Sequence, residues 1–138
     1  MQIQQLRMLA TDMAWEVIHG ASPTVQQKLM GLQPHQLCIS SMTRAELAYS
    51  RIELGASQWA SRITEFLKIV HTVPWDEAAA DRYAELGFGV RQRGGNPGDK
   101  DVGIAAHSLA ADAILVTGLA DTFKAIYEGL TLEDWSDQ

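Results

Sequence analysis

The chain has one cysteine, Cys38, in 138 residues, which excludes a disulfide framework and suits a reducing compartment. Set in the run Leu37-Cys38-Ile39, that thiol reads as core filler. No apolar run approaches the roughly 20 residues of a membrane helix. The start of the chain also lacks the basic-then-apolar pattern of a secretion signal. A soluble, cytoplasmic domain with no membrane association is expected. Repeats, low-complexity segments and linkers are missing too, so residues 1–138 are expected to form a single domain. Basic residues are scarce, with eleven Lys and Arg against seventeen Asp and Glu and a net charge of −6. That excludes nucleic-acid binding driven by bulk charge. It still permits an enzyme that touches a short stretch of nucleic acid beside a metal ion.

What is present is an ordinary globular composition, 46% apolar and 20% charged, in a chain long enough to bury its own core. Leu6–Leu9 reads as a first strand, Thr11-Asp12 as a cap, and Met13–His19 as a helix. Ser22-Pro23 is a helix start, a capping serine followed by proline at the first helical position. Val25, Leu29, Met30 and Leu32 supply that helix's stripe, and Gln33-Pro34 ends it. Leu37–Ser40 reads as a buried strand. Ser41 or Thr43 then caps a helix carrying Ala45, Leu47, Ala48, Ile52 and Leu54.

Trp59, Ile63, Phe66 and Leu67 mark a further helix, followed by a strand near Ile69–Val73 that Pro74 breaks. Asp76 caps a long helix through Ala80, Tyr83, Ala84 and Leu86, weakened at Gly87 and Gly89 by about 1 kcal/mol each. Arg91–Gly98 reads as a glycine-rich basic loop, Lys100–Leu109 as a helix and Ala113–Thr117 as a strand. A short helix near Phe123–Tyr127 and an extended piece around Leu130–Leu132 complete the chain. Strands alternating with helices predict a mostly parallel sheet covered on both faces, an α/β/α sandwich. Sites in such folds lie at the C-terminal strand ends.

Acidic residues follow those strand ends. Asp12 comes after the first, Glu46 opens the helix after Ser40, Asp99 and Asp101 open the helix after the glycine-rich loop, and Asp121 follows Thr117. Carboxylates converging at one sheet edge bind Mg²⁺ or Mn²⁺, hard ions that prefer oxygen. Taken singly, each has a plainer role. Asp12, Asp99 and Asp101 suit helix N-termini, Glu46 a solvated helix face, and Asp121 a turn.

Longer strings carry a family resemblance. Ser40-Ser41-Met42-Thr43-Arg44-Ala45-Glu46-Leu47-Ala48-Tyr49 resembles the VapC-toxin segment with a serine-rich cap and an Ala-Glu-Leu core. Gly98-Asp99-Lys100-Asp101-Val102-Gly103-Ile104-Ala105-Ala106-His107 resembles their central motif, an Asp shortly before Ile-Ala-Ala-His. Ile114–Thr117 is similar to the strand before their fourth acid, and Leu132–Trp135 to their C-terminal end. Met8-Leu9-Ala10-Thr11-Asp12 is similar to their opening Leu-Asp-Thr-Asn/Asp, with alanine in place of the first Asp. The resemblance runs from Met8 to Trp135.

What this implies is a PIN-domain α/β/α sandwich acting as a metal-dependent endoribonuclease, the toxin of a type II toxin–antitoxin system. It places the second and third family acids at Glu46 and Asp101, which would hold Mg²⁺ or Mn²⁺. The first falls on Ala10, which has no ligand atom. The fourth falls on Thr122, with Asp121 one residue early. Asp99 or Asp121 would serve in the outer shell, and Arg91, Arg93 and Lys100 would contact RNA phosphates. The implied partners are a VapB-like antitoxin, a structured RNA such as a tRNA, and a second copy of the chain, with Trp15 and Trp59 expected exposed. The implied antitoxin groove runs between the helix bearing Met13, Trp15 and Ile18 and the helix bearing Leu47, Ile52 and Leu54. The missing first acid predicts an inactive or weakened copy. The alternative is a non-catalytic PIN-like module that binds antitoxin or RNA. A phosphatase or receiver-like domain would also gather acids, but no strand here is followed by a phosphate loop.

Overall fold

The computed structural model describes residues 5–136. Five short strands, β1 (Arg7–Leu9), β2 (Leu37–Ser40), β3 (His71–Val73), β4 (Ile114–Val116) and β5 (Leu132–Glu133), alternate with helices. They form one sheet in the order β3-β2-β1-β4-β5, and every pairing is parallel. The expected α/β sandwich is what forms. The helices are α1 (Thr11–His19), α2 (Pro23–Met30), α3 (Ser41–Leu54), α4 (Gln58–Ile69), α5 (Glu77–Gln92), α6 (Lys100–Ala110) and α7 (Ala120–Ile126). No helix among the described residues is long and apolar enough to cross a membrane.

A parallel sheet has both faces covered, so its strands are apolar throughout. Met8, Leu9, Cys38, Ile39, Leu115 and Val116 are fully buried and divide between two cores. Met8, Cys38 and Leu115 meet α5, α6 and α7 through Leu86, Ile104 and Phe123 on one side. Leu9, Ile39 and Val116 meet α1, α3 and α4 through Met13, Leu47 and Ile63 on the other. Period-two alternation along each strand therefore feeds both layers. Burial pushes the Cys38 thiol up to about 12, so it stays protonated and inert, the core filler expected.

Helix boundaries follow capping chemistry. Ser22 accepts from Val25 N, Ser57 from Ala60 N and Asp76 from Ala79 N. Several expectations need correction. The cap of α3 is Ser40, which accepts from Met42 N, and neither Ser41 nor Thr43. Helix α1 starts at Thr11 with Ala10 at its cap position and no side-chain cap bond, because alanine has no acceptor atom, and the Asp12 carboxylate bonds Thr117 and Gly118 instead. Ile69 ends α4 and is 72% exposed, outside the strand. Met30, Ile52 and Leu54 are exposed as well. The inner face of α5 is Ala79, Leu86, Gly87 and Val90 rather than Ala80 and Ala84, and the helix runs on through Arg91 and Gln92.

Candidate functional site

Strand order makes β1 a switch point, with β2 on one side and β4 on the other, and ligand crevices form beyond the strand ends at such points. Three segments leave the sheet there: Ala10–Asp12 after β1, Ser40–Glu46 after β2 and Thr117–Leu119 after β4.

These segments are pinned to one another. Thr11 Oγ1 meets Thr43 Oγ1 at 3.0 Å. The Asp12 carboxylate accepts from Thr117 Oγ1 at 2.9 Å and from Gly118 N at 2.8 Å. Thr117 Oγ1 in turn accepts from Leu119 N. Both Asp12 oxygens are thus occupied in holding the β4 loop against α1. Close approach also explains Gly118, since a Cβ there would lie 3.3 Å from Asp12 Oδ2 and 3.3 Å from Ser136 Cβ.

Asp101 and Glu46 face the same crevice from α6 and α3. Burial raises the Asp101 carboxyl above the ordinary carboxylate range, and the charges of Asp99, Glu46 and Asp12 raise it further. Three neighbouring carboxylates therefore act on Asp101. Asp99 caps α6, its Oδ1 accepting from Asp101 N. Lys100 Nζ stands 3.5 Å from Glu46 Oε1, with side-chain exposures of 71% and 22%. The lysine is solvated, so this pair contributes at most about 1 kcal/mol.

The remaining predicted residues lie further out. Asp121 is exposed in the first turn of α7 and is not among the charges acting on Asp101. Arg93 is committed to structure, its Nη2 donating to the carbonyls of Ala125 and Ile126 at the end of α7. Arg91 is exposed on the last turn of α5. Trp15 and Trp59 are half-buried rather than exposed, because His19 stacks on Trp15 and meets Trp59 edge-on. Met13, Ile18 and Leu47 are core, leaving Trp15, Ile52 and Leu54 of the expected groove residues accessible.

The sequence did not single out the buttress behind the carboxylates. His107, 2% exposed, shares a 2.7 Å hydrogen bond between Nδ1 and Ser40 Oγ and has a backbone hydrogen bond to Pro74. Trp75 donates through Nε1 to the Gly103 carbonyl and through its backbone N to Ser41 Oγ. The β3–α5 corner thereby ties the start of α3, which carries Glu46, to α6, which carries Asp101. The only advance signal was His107 in the Ile-Ala-Ala-His string, where a histidine within an apolar run needs a buried partner.

A Mg²⁺ or Mn²⁺ ion requires several converging oxygen donors. Glu46 and Asp101 offer two carboxylates. Asp12 is spent on Thr117 and Gly118, Asp99 caps its own helix, and position 10 presents a methyl group that is 1% exposed. Among the described residues no three Asp, Glu, His or Cys side chains converge closely enough to hold an ion. The residues present therefore do not fit such an ion as a ready-made centre.

Fold and crevice together define a parallel α/β domain of the PIN type, with an acidic site at its switch point. No family model matches the chain. It is similar to Ribonuclease VapC2 of Rickettsia felis, with 33% identity over 100 residues covering 72% of this chain and 74% of that protein. It is also similar to the tRNA(fMet)-specific endonuclease VapC of Shigella flexneri, with 29% identity over 130 residues covering 94% and 97%. Among solved structures, VapBC2 from Rickettsia felis bound to a DNA fragment from their promoter superposes with a TM-score of 0.83. Identity there is 29%, covering 95% of this chain and 99% of that one. The chain belongs to the VapC family of PIN-domain toxins.

Proposed function

We propose that this protein is a VapC-type ribonuclease toxin whose RNA-cleaving centre is incomplete, so that it cleaves slowly or not at all while keeping its partner surface. The observation that carries this reading is position 10. Ala10 closes β1 at the mouth of the crevice, with its backbone N donating to Val116 O at 2.9 Å. A carboxylate there would complete a set with Glu46 and Asp101 that could hold Mg²⁺ or Mn²⁺. The names of the relatives support RNA as substrate, and a tRNA in particular. The VapBC complexes among its structural neighbours support a VapB-like antitoxin as partner. Glu46 and Asp101 would receive a cationic antitoxin side chain, with Asp99 and Asp121 in supporting places and Arg91 and Lys100 toward phosphates. The committed bonds of Arg93 give it a lesser part. A homodimer and a cytoplasmic location complete the proposal.

Growth tests this proposal. Expression of the Ala10→Asp form should arrest a bacterial host, and co-expression of a cognate VapB-like antitoxin should relieve the arrest. The Ala10 chain should be tolerated. Equal tolerance of both forms, at matched levels of folded protein, would contradict it.

A further inference from the structure

Aromatic residues are few, with four Trp and three Tyr in the chain, yet two of each line cavities that meet at the acidic crevice. The first cavity, about 580 Å³, has walls from Trp15, Met42, Glu46, Tyr49 and Lys100. The second, about 370 Å³, has walls from Met42, Trp75, Tyr83, Asp99 and Lys100. Met42 and Lys100 belong to both, so the cavities lie side by side and share one cationic side chain.

We infer that these cavities are two nucleobase pockets, holding the bases on either side of one RNA phosphate held at Lys100. The inference rests on the reading of the protein as an RNA-cleaving toxin and names the residues that would receive the substrate. Single-stranded RNA is recognised largely by unstacked bases laid on aromatic side chains, and stacking does not require a basic protein. That resolves the conflict between a net charge of −6 and a ribonuclease relationship.

The rings are held in place and remain partly accessible. Tyr49 is 66% exposed, and a ring left in solvent adds little to the core. Trp75 and Tyr83 meet edge-to-face at 6.0 Å. Trp75 Nε1 bonds Gly103 O, and the Tyr83 hydroxyl bonds Pro97 O at 2.7 Å. Both polar tips are thus tied down, and the ring faces are held rigid. Gly103 lets the pockets adjoin. A Cβ there would lie 2.6 Å from Met42 Sδ and would push the shared wall aside. Glu46 and Asp99 add acceptors for base amino groups at the pocket edges.

The smallest probe that matches this arrangement is adenylyl-3′,5′-adenosine, two bases flanking one phosphate. It should be titrated into the full chain in Mg²⁺ buffer while the four indole N–H signals are followed by NMR. Trp15 and Trp75 should shift, and Trp59 and the buried Trp135 should not. Removing either base from the probe should weaken binding between about fivefold and about 150-fold, the range of single-base stacking. Tyr49→Ala, at an exposed position that leaves the fold intact, should weaken it within the same range.

Three results would overturn the inference. In one, the abasic probe binds as well as the full one. In another, Trp15 and Trp75 stay still. In the third, they respond only to a basic apolar peptide or to dilution of a dimer, which would assign the pockets to a protein partner. Cleavage of RNA by the Ala10→Asp form alongside silent indoles would remove the pockets and leave the ribonuclease reading standing. No cleavage and silent indoles would remove both. Shifts at Trp15 and Trp75 that depend on the bases support the pockets whatever the cleavage assay shows.

Discussion

Replacing His107 with leucine tests the buttress behind Glu46 and Asp101. Burial lowers the affinity of the ring for a proton, and the Asp76 charge and the Pro74 backbone bond only partly offset this. The folded protein therefore holds His107 neutral down to a lower pH than the unfolded chain does. Between the unfolded value of roughly 6.5 and the depressed folded value, the unfolded state binds more protons, so stability falls as the pH drops. The effect is absent above roughly pH 7 and reaches at most about 1.4 kcal/mol at pH 5.5.

Leucine has similar volume and cannot titrate, so this share of the pH dependence should vanish in His107→Leu. At pH 7.5 the variant should be less stable by about 1–3 kcal/mol. It loses the 2.7 Å bond to Ser40, whose fully buried hydroxyl is left with Met42 N, the cost of an under-satisfied buried group. Urea unfolding of both proteins at pH 7.5 and 5.5 measures both effects, and contributions common to the two proteins cancel in the comparison. An unchanged pH dependence in the variant would refute the assignment of a buried neutral His107.

Other substitutions follow from the same structure. Asp12→Ala should cost about 2 kcal/mol in urea unfolding, because it removes a charged acceptor from Thr117 and Gly118. Gly87→Ala should stabilise by about 0.5–1 kcal/mol in the same assay. The position is helical, and its nearest non-local contact would be Pro97 Cβ at an ordinary 3.6 Å. In the Ala10→Asp form, Glu46→Gln and Asp101→Asn should each abolish RNA cleavage while leaving circular dichroism unchanged, since an amide keeps the shape and loses the charge that binds a hard ion.

Much of the fold was legible because its signals are local. Leu37–Ser40 is a short apolar run with polar flanks, Ser22-Pro23 and Asp76 are capping residues, and each marks its element to within a residue or two. Periodicity misled where a helix end is solvated. Met30, Ile52 and Ile69 continue an apolar pattern in sequence but project past the core, and nothing local records where the core stops.

The candidate site was legible as a set of acids at strand ends, and their mutual effect on Asp101 follows from that placement. What each acid does was not legible. Asp12 looks like a helix cap, and only the parallel pairing of β1 with β4 brings Thr117 and Gly118 within its reach. Arg93 looks like a loop cation, and only the packing of α7 near the end of α5 reveals its two carbonyl partners. Tyr83 reads as one residue of a long helix, and the cavity it shares with Trp75 depends on the tertiary position of Lys100.

The most direct test of the incomplete centre is the initial rate of RNA cleavage by the Ala10 protein and by its Ala10→Asp form. Both should be purified identically and assayed at saturating Mg²⁺ or Mn²⁺ with contaminating nuclease excluded. Loss of a residue that merely supports a metal ligand costs about 10–100-fold, so loss of a ligand itself should cost at least that. The Ala10→Asp form should therefore cleave at least about 10-fold faster, with the gain abolished by chelation. Equal rates for the two forms would contradict the account.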